Sequence, residues 1–284
     1  MKRIKKSYFL LLLALFLGTG TAFADYFDFS AVCATGQRLY YEIIDPTNHY
    51  VEIVFPGDEV TQPYNGYPVP TGNITLPSSV TNNGVTYTVT SIGRYAFNRC
   101  PLSGELVIPS TVTAIRKGAF EDCRGFTGSL TIPNSVTTIA AFAFYHCSGF
   151  TGSLTIGNSV THIDQQAFKD CTGFTGTLTI PASVTSLSWF VFSNCSGFTS
   201  VNYNPVNCAV EEEYKPFEGC GGALNIGNSV YRIPAHLFRD AGFTGTLNIP
   251  SSVTSIGAHA FKNCTGFTQV NYNAINCEDV SSDA

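Results

Sequence analysis

The stretch LTIPNSVTTIAAFAFYHCSGFTG, residues 130–152, is followed by LTIGNSVTHIDQQAFKDCTGFTG at 154–176 and by LTIPASVTSLSWFVFSNCSGF at 178–198. The apolar residue that opens each unit recurs at intervals of 24, 24, 24, 23, 23, 23 and 23 residues. A constant period of this length is typical of repeat proteins, in which each unit packs on its neighbours. The opening positions are Leu106, Leu130, Leu154, Leu178, Val201, Leu224, Leu247 and Val270.

A single unit, residues 130–152, has the pattern of one coil of a stack. Leu130 and Ile132 face one side of a short strand and Thr131 faces the other, and Gly149 and Gly152 are expected at corners. One unit has too few apolar residues to cover its own face, so neighbouring units must share a core. We therefore expect columns of like side chains, namely Leu106/Leu130/Leu154/Leu178, Ile108/Ile132/Ile156/Ile180 and Phe120/Phe144/Phe168/Phe192.

The consensus L-x-I-P-x-S-V-T-x-I-x-x-x-A-F-x-x-C-x-G-F-T resembles the BspA-like leucine-rich repeat, the Treponema pallidum type, over residues 74–277. The opening stretch NITLPSSVTNNGVTYTVTSIGRYAFNRC, residues 73–100, is similar to the longer first repeat of secreted Bacteroidetes members. We therefore predict a β-rich leucine-rich-repeat solenoid of about eight 23–24-residue coils with short helical turns. The resemblance also implies a surface or secreted protein, because several members adhere to host matrix or to other bacteria.

Residues 1–24 have the features of an export signal. A basic start (KRIKK, residues 2–6) precedes an apolar run from Tyr8 to Leu17, and residues 22–24 (AFA) form a small-x-small cleavage motif. The apolar run is shorter than the roughly 20 residues of a membrane span, although a retained anchor is the alternative. We expect cleavage near Ala24 and an extracytoplasmic mature chain, secreted or at the cell surface, without a membrane span.

The two ends of the array differ from the repeats. Residues 25–73 predict strands over Arg38–Ile44 and Tyr50–Phe55, and this segment is placed to form an N-terminal β cap, with a separate binding domain as the alternative. Residues 278–284 form a C-terminal tail after a last unit that stops partway. We therefore expect an open strand edge in the last coil, which could pair with a second copy or dock on a partner.

Charge and cysteine spacing narrow the possible functions. Residues 25–284 hold eleven Lys and Arg against twenty Asp and Glu, a formal net charge of −9, which excludes a nucleic-acid partner.

Ten cysteines in an exported chain invite a disulfide framework, but most recur in one column where neighbouring side chains run parallel. Ala241 replaces the cysteine in one unit, which favours small buried thiols over disulfides.

The sequence contains no pattern typical of a catalytic site, and it suggests no cofactor. His236 and His259 occupy the same place in consecutive coils and should be stacked, but two ligands make a weak metal site, and solvated histidines are the alternative. His146 precedes Cys147, whose side chain should point into the core, so a Cys–His nucleophile is not expected. No nucleophile elbow, phosphate loop or dinucleotide motif is present.

Two surfaces are candidates for recognition. Phe142, Trp189 and Phe190 are large apolar residues at positions that vary between units, where they either anchor an interface or fold back as extra packing. A second surface is the outward column Thr131, Thr155 and Thr179, which continues as asparagine in later units. This column could bind a glycan or a protein by ordered hydrogen bonds, or its threonines could simply be favourable exposed strand residues.

From these features we expect a secreted or cell-surface recognition and adhesion module without catalytic activity. Its partners would be proteins of the host matrix or of neighbouring cells. The alternatives are an extracellular glycan-binding accessory protein and a self-associating structural component of the surface. Because a repeat fold hosts many functions, the sequence does not identify the ligand.

Overall fold

Two short strands and one tight turn make up each repeat. The computed structural model of the chain describes residues 26–57, 64, 66–210, 214–277 and 279–280, so the predicted export signal and its cleavage point lie outside the described residues. In chain order the strands are β1 (Phe29–Val32), β2 (Arg38–Asp45), β3 (Tyr50–Val54), β4 (Gly72–Asn73), β5 (Ser79–Asn82), β6 (Val85–Ile92), β7 (Leu102–Gly104), β8 (Ala114–Ile115), β9 (Gly125–Phe126), β10 (Leu130–Thr131), β11 (Thr138–Ile139), β12 (Leu154–Thr155), β13 (His162–Ile163), β14 (Gly176–Ile180), β15 (Ser186–Leu187), β16 (Phe198–Tyr203), β17 (Gly221–Ile226), β18 (Arg232–Ile233), β19 (Gly242–Ile249), β20 (Ser255–Ile256), β21 (Gly266–Tyr272) and β22 (Asp279–Val280).

Equivalent strands of successive coils pair in parallel, so the chain forms a β-solenoid. Leu130 lies opposite Leu154, and Ile139 lies opposite Ile163. One row of strands, β14-β16-β17-β19-β21, makes a five-stranded sheet, while β6-β8-β11-β13-β15 continues a nine-stranded sheet that begins at β1. The predicted fold class, a repeat solenoid with coils of about 23 residues, is confirmed.

The core consists of columns of like side chains, as the period predicts. The leucine and isoleucine columns are buried throughout the middle coils. Phe97, Phe120, Phe144, Phe168, Phe192, Phe217, Phe238 and Phe261 form a ladder of rings whose neighbouring centroids are 5.2 to 5.5 Å apart. Each buried Phe contributes about 1.5–3 kcal/mol of hydrophobic stabilisation. The stack of coils therefore shares one continuous apolar core.

The expected short helical turns are wrong: in the part of the chain that the structure describes, the segment around each core Phe is a hydrogen-bonded turn and no helix forms. Two residues four apart in most turns have left-handed backbone, for example Phe142 (φ 60°) and His146 (φ 59°), and a left-handed residue interrupts a helix. The N–H of Phe144 bonds to Ala167 of the next coil, whereas that of Tyr145 bonds back to Phe142.

Gly149 and Gly152 lie in a turn and a bend, as expected for corners, but neither has left-handed backbone. Both lie against the preceding coil. A Cβ at Gly149 would overlap the carbonyl oxygen of Arg124, and one at Gly152 would overlap the Ser129 hydroxyl. Glycine is therefore required here for the close approach of two coils.

The N-terminal segment forms the strands expected over residues 38–55, at β2 and β3, and joins the solenoid directly. The antiparallel strands β1, β2 and β3 are followed by β6, which pairs in parallel with β3. At this junction Glu52 of β3 is 2% exposed. Its carboxylate accepts a 2.6 Å hydrogen bond from Ser91 Oγ of β6 and pairs with the Arg116 guanidinium. The hairpin thus continues the nine-stranded sheet across the first coils.

The last described coil differs from the others in exposure. Val270 and Tyr272 on β21 are 57% and 50% exposed, whereas the equivalent Leu247 and Ile249 of the preceding coil are 3% and 2% exposed. The strand lies at the edge of its sheet. Part of the core column is therefore uncovered at this end. No helix among the described residues is long and apolar enough to cross a membrane.

Candidate recognition surfaces

We call the row of turns around the core Phe residues the turn ridge; it comprises residues 94–99, 117–122, 141–146, 165–170, 189–194, 216–219, 235–240 and 258–263. Each turn points its Phe and the small or apolar residue before it into the core, and most of its other side chains lie along one edge of the solenoid. Because the two left-handed positions recur in every full turn, equivalent side chains of successive coils line up in columns.

The three aromatic residues predicted as anchors lie on the turn ridge in different states of exposure. Trp189 is 44% exposed and meets Tyr214 edge to face, with ring centroids 5.1 Å apart. Phe142 and Phe190 are half-buried and share the first left-handed position of their turns. Gln166 takes that position in the coil between them, so the three predicted residues do not form one cluster.

Two tyrosines that the sequence analysis did not single out extend the aromatic surface. Tyr145 packs against Phe142 with centroids 5.7 Å apart and stacks on the His146 ring at 3.8 Å. Tyr214 packs against Trp189 as described above. Both lie at ridge-side positions that vary between units, and that variation was the available signal.

Cations lie beside the aromatic rings at one part of the ridge. The Lys117 ammonium is 5.3 Å from the centre of the Phe142 ring, and that of Lys169 is 5.8 Å from the Tyr145 ring. Such cation–π contacts hold a side chain in place while it stays accessible. The ridge therefore combines accessible aromatic area with nearby positive charge.

The second left-handed position of each turn carries a row of polar side chains, which we call the polar ladder: Asp122, His146, Asp170, Asn194, Asp240 and Asn263. Asp and Asn tolerate left-handed backbone better than most residues, which accounts for their frequency here. His146 Nδ1 lies 3.2 Å from Asp122 Oδ1, and its Nε2 lies 2.8 Å from Asp170 Oδ2. Asn194 Nδ2 donates to Asp170 Oδ1 at 2.7 Å.

The carboxylates of the polar ladder are stabilised in their charged form. Burial by itself raises the pKa of Asp122, but hydrogen bonds from Arg124 and His146 outweigh it, so the pKa lies below its usual value. At Asp170 burial is likewise outweighed by hydrogen bonds from Asn194 and Lys169, and the pKa is lowered. Hydrogen bonds and charges of the polar ladder therefore link the three successive coils that carry Asp122, His146 and Asp170.

The polar ladder does not have the geometry of a metal or catalytic site. Both ring nitrogens of His146 face carboxylate oxygens, so neither is directed at a ligand. Among the described residues no three His, Cys, Asp or Glu side chains converge on one point. The adjacent depression, lined by Arg124, His146, Ser148, Asp170 and Thr172, holds about 190 Å³, less than a typical small-molecule site.

The predicted histidine pair does come together. The rings of His236 and His259 are 5.1 Å apart, and both residues occupy the first left-handed position of their turns. His236 is buried, and its Nδ1 lies 3.3 Å from Arg239 Nη1. The described residues provide no third ligand beside the pair, so the two-histidine arrangement remains a weak metal candidate.

The predicted threonine column lies on a different side of the solenoid, on an outward sheet surface that we call the threonine–asparagine face. Its side chains form three columns along the coils. Thr131, Thr155 and Thr179 are exposed and begin the third column. The columns are Thr127/Thr151/Thr175/Thr199, Ser129/Ser153/Thr177/Ser200/Ala223 and Thr131/Thr155/Thr179/Asn202/Asn225/Asn248/Asn271. After Ala223 a register shift interrupts the second column, which resumes with Thr246 and Gln269.

Every cysteine lies in the described part of the chain, and all ten are free thiols. Those of the column donate to the carbonyl oxygen of the core Phe in the preceding coil, for example Cys147 Sγ to Phe120 at 3.0 Å and Cys171 Sγ to Phe144 at 3.0 Å. Burial raises the pKa of these thiols well above its usual value. They are therefore core side chains rather than nucleophiles.

Comparison with known proteins places these features in a family. Residues 90–221 and 216–284 match the model of the BspA type leucine-rich repeat region, with six copies. No curated protein matches the chain. Among solved structures, a leucine-rich repeat protein from Bacteroides ovatus is 21% identical, with a TM-score of 0.48, 89% of this chain covered and 70% of the other.

Two further solved structures are similar over most of the chain. A leucine-rich cell surface protein from Faecalibacterium prausnitzii is 16% identical, with a TM-score of 0.27, and covers 88% of this chain and 98% of its own. The leucine-rich repeat protein of T. pallidum is also 16% identical, with a TM-score of 0.39, covering 83% of this chain and 79% of the other. Because the family model spans well over half of the residues, the chain belongs to the BspA type leucine-rich repeat family.

Proposed function

We propose that the protein is a non-catalytic recognition module, exported to the cell surface or beyond, that binds a protein partner through its turn ridge. The observation that carries this proposal is the exposed Trp189, which packs edge to face against the half-buried Tyr214. Tryptophan and tyrosine are frequent energetic anchors of protein interfaces, because they bury a large area at a small entropic cost. The extracytoplasmic location rests on the export signal at residues 1–24 and on the family.

The surroundings of the aromatic pair support a protein partner. Phe142 and Tyr145, both two coils from Trp189, extend the accessible apolar area along the same ridge. Lys117 beside the Phe142 ring would suit a carboxylate at the rim of a partner. Repeat proteins commonly bind along an extended surface of this kind, where each coil adds one contact.

The test compares Trp189→Ala with Tyr231→Ala, which removes an aromatic ring that is 39% exposed away from the ridge. Immobilised fibronectin, laminin and collagen serve as probes of the host matrix in a surface-binding assay. We expect Trp189→Ala to weaken binding by about tenfold or more, with the unfolding free energy changed by less than about 1 kcal/mol. A large loss of stability, or equal effects of the two variants, would contradict the ridge as the binding surface.

Glycan binding is the second candidate function, and it has its own support. The threonine–asparagine face presents hydroxyl and amide groups in regular rows. Such groups exchange hydrogen bonds with sugar hydroxyls without a change of protonation. This candidate uses a surface other than the turn ridge, so the two functions do not compete for residues.

A further inference from the structure

The threonine–asparagine face is distinguished by its charge. Its three columns, from Thr127 to Asn271, contain no Asp, Glu, Lys or Arg. By contrast, nine of the eleven basic residues after residue 24 lie in the turn ridge or within two residues of it: Arg94, Arg99, Arg116, Lys117, Arg124, Lys169, Lys215, Arg239 and Lys262. The turn ridge is therefore charged, whereas this side is neutral and polar from Thr127 onwards, with Glu105 as a charge at the equivalent position of the preceding coil.

Hydrogen bonds within the face hold its side chains in rows. Asn225 Nδ2 donates to Asn202 Oδ1 at 2.9 Å, and Asn202 Nδ2 contacts Thr179 Oγ1 at 3.3 Å. In the later coils Asn271 Nδ2 donates to Asn248 Oδ1 at 2.8 Å. Asn202, Asn225 and Asn271 each use one N–H in the row, which leaves the second N–H of each amide for a partner. The donors are thus oriented before any ligand arrives, which lowers the entropic cost of binding.

The spacing of the rows is set by the backbone. Val201 lies opposite Leu178 on one side and Leu224 on the other, so the outward groups Thr179, Asn202 and Asn225 repeat at the strand separation, about 4.8 Å. A partner with hydroxyl groups at a regular spacing could engage several rows at once. Each contact would be weak, but their combined effect along the face would be large.

We propose that the threonine–asparagine face binds a neutral, hydroxyl-rich polysaccharide. This inference rests on the second candidate function and specifies its ligand class. An anionic polysaccharide would meet no cation on this face, and burying its carboxylates or sulfates there would be costly. A neutral chain costs less to desolvate than a charged one, and it regains hydrogen bonds from the hydroxyl and amide rows, while threonine methyl groups contact the apolar sides of its rings.

The experiment measures retention of the protein on insoluble cellulose and chitin and in gels containing soluble mannan or starch. Polygalacturonate and hyaluronate serve as the anionic comparison. Two exposed positions that flank Asn202 are changed together, Thr179→Lys and Asn225→Lys. The control, His162→Lys, places a positive charge at an exposed position on β13 in the other sheet. Circular dichroism and the thermal midpoint establish that each variant is folded.

We expect retention by at least one neutral polysaccharide, no retention by the anionic ones, and about tenfold weaker binding of the double variant but not of the control. Stronger retention by anionic polysaccharides would overturn the inference while leaving glycan binding intact. No retention by any polysaccharide would overturn both. Equal binding by the double variant and the natural protein, or capture of protein probes alone through this face, would also overturn the inference.

Discussion

At the scale of single residues, Cys171 shows how one small side chain joins two coils. Its Sγ donates to the carbonyl oxygen of Phe144, and the same contact recurs from Cys123 to Phe97 and from Cys195 to Phe168. A thiol bonded in this way satisfies a backbone carbonyl inside the core without the desolvation cost of a stronger polar group. Ala241, which lacks the donor, fills the same place in a later coil.

This arrangement predicts that the cysteines are reduced and unreactive in the folded protein. Burial raises the pKa of Cys220 to about 12, so little thiolate forms at neutral pH. Iodoacetamide in denaturant, without a reductant, should modify all ten cysteines, as mass spectrometry would show. Under native conditions the column should react far more slowly. Pairs of cysteines that resist modification until a reductant is added would contradict free thiols.

Gly173 provides a second test at this scale. A Cβ there would overlap the carbonyl oxygen of Phe150 in the preceding coil, whereas a Cβ at Gly221 would have its nearest neighbour at 3.6 Å. We expect Gly173→Ala to lower the unfolding free energy by about 2 kcal/mol or more, and Gly221→Ala to change it by less than about 0.5 kcal/mol. Urea denaturation of the two variants measures the difference. Equal losses would show that coil separation is not set by these glycines.

At the scale of elements, most turns have two left-handed residues, and the second of them carries the polar ladder. The structure places Asp, Asn or His at this position in most coils, with Arg99 and Gly219 as the exceptions. Hydrogen bonds along the ladder then join turns that are already held by backbone bonds between coils. The turn therefore contributes to stacking through its backbone and through its side chains.

The ladder predicts an acid-sensitive contribution to stability. Because the pKa of folded Asp170 is lowered, its stabilisation is complete above the unfolded value near 4 and is lost as the pH falls through the folded value. Asp170→Asn should therefore lower the unfolding free energy at pH 7 by about 1 kcal/mol and reduce its decline in acid. Asparagine occupies the equivalent position at Asn194, so the backbone tolerates the change.

Asp164 is the matched control for this prediction. Burial raises its pKa, partly offset by the charge of His162, so ionised Asp164 does not stabilise the fold. We expect Asp164→Asn to leave the unfolding free energy at pH 7 unchanged or slightly higher. Chemical denaturation from pH 3 to pH 7 compares the two variants. A larger loss for Asp164→Asn than for Asp170→Asn would contradict the role of the ladder.

The sequence predicted the core residues that recur in every coil better than it predicted backbone conformation and contacts between neighbouring coils. The period placed Leu130, Phe144 and Cys147 in the core, because a residue repeated in every coil is usually dictated by packing. It did not predict the left-handed positions or the pairing of His146 with two aspartates, because these depend on backbone geometry and on neighbours 24 residues away. The helical turns were wrong for the same reason.

For the candidate surfaces, the sequence identified positions but not exposure. Trp189, Phe142 and Phe190 all lie at positions that vary between units, yet only Trp189 is exposed. Phe142 and Phe190 are half-buried and share the first left-handed position of their turns. The partner of Trp189, Tyr214, lies in a unit whose spacing differs from that of the preceding coils. Contacts between irregular units are not visible in a periodic pattern.

At the scale of the whole molecule, the two described ends are unlike. The hairpin strands β1–β3 continue the sheet at one end, whereas β21 leaves Val270 and Tyr272 exposed at the other. The strand Gly266–Tyr272 carries neither a charge nor a proline, the usual protections of an edge. We propose that a second copy pairs with this edge, since an uncharged strand can face its own copy without repulsion.

Sedimentation velocity across a wide range of concentrations tests this proposal. We expect a dimer that dissociates on dilution, and we expect Val270→Lys to remain monomeric because it places like charges across the two-fold contact. Val107→Lys, at an exposed valine in the first coils, should associate like the natural protein. A monomer at every concentration would end the proposal, and unchanged association of Val270→Lys would move the contact elsewhere.

The direction of the backbone hydrogen bonds has a mechanical consequence. Bonds such as that from Phe144 N–H to the Ala167 carbonyl join consecutive coils, so they run along the length of the stack. A pull applied to both ends would peel one coil at a time, because each coil touches only its neighbours. Every coil that opens would release roughly 80 Å of chain. A tethered molecule under shear would therefore extend in steps and absorb work before any distant coil lost its shape.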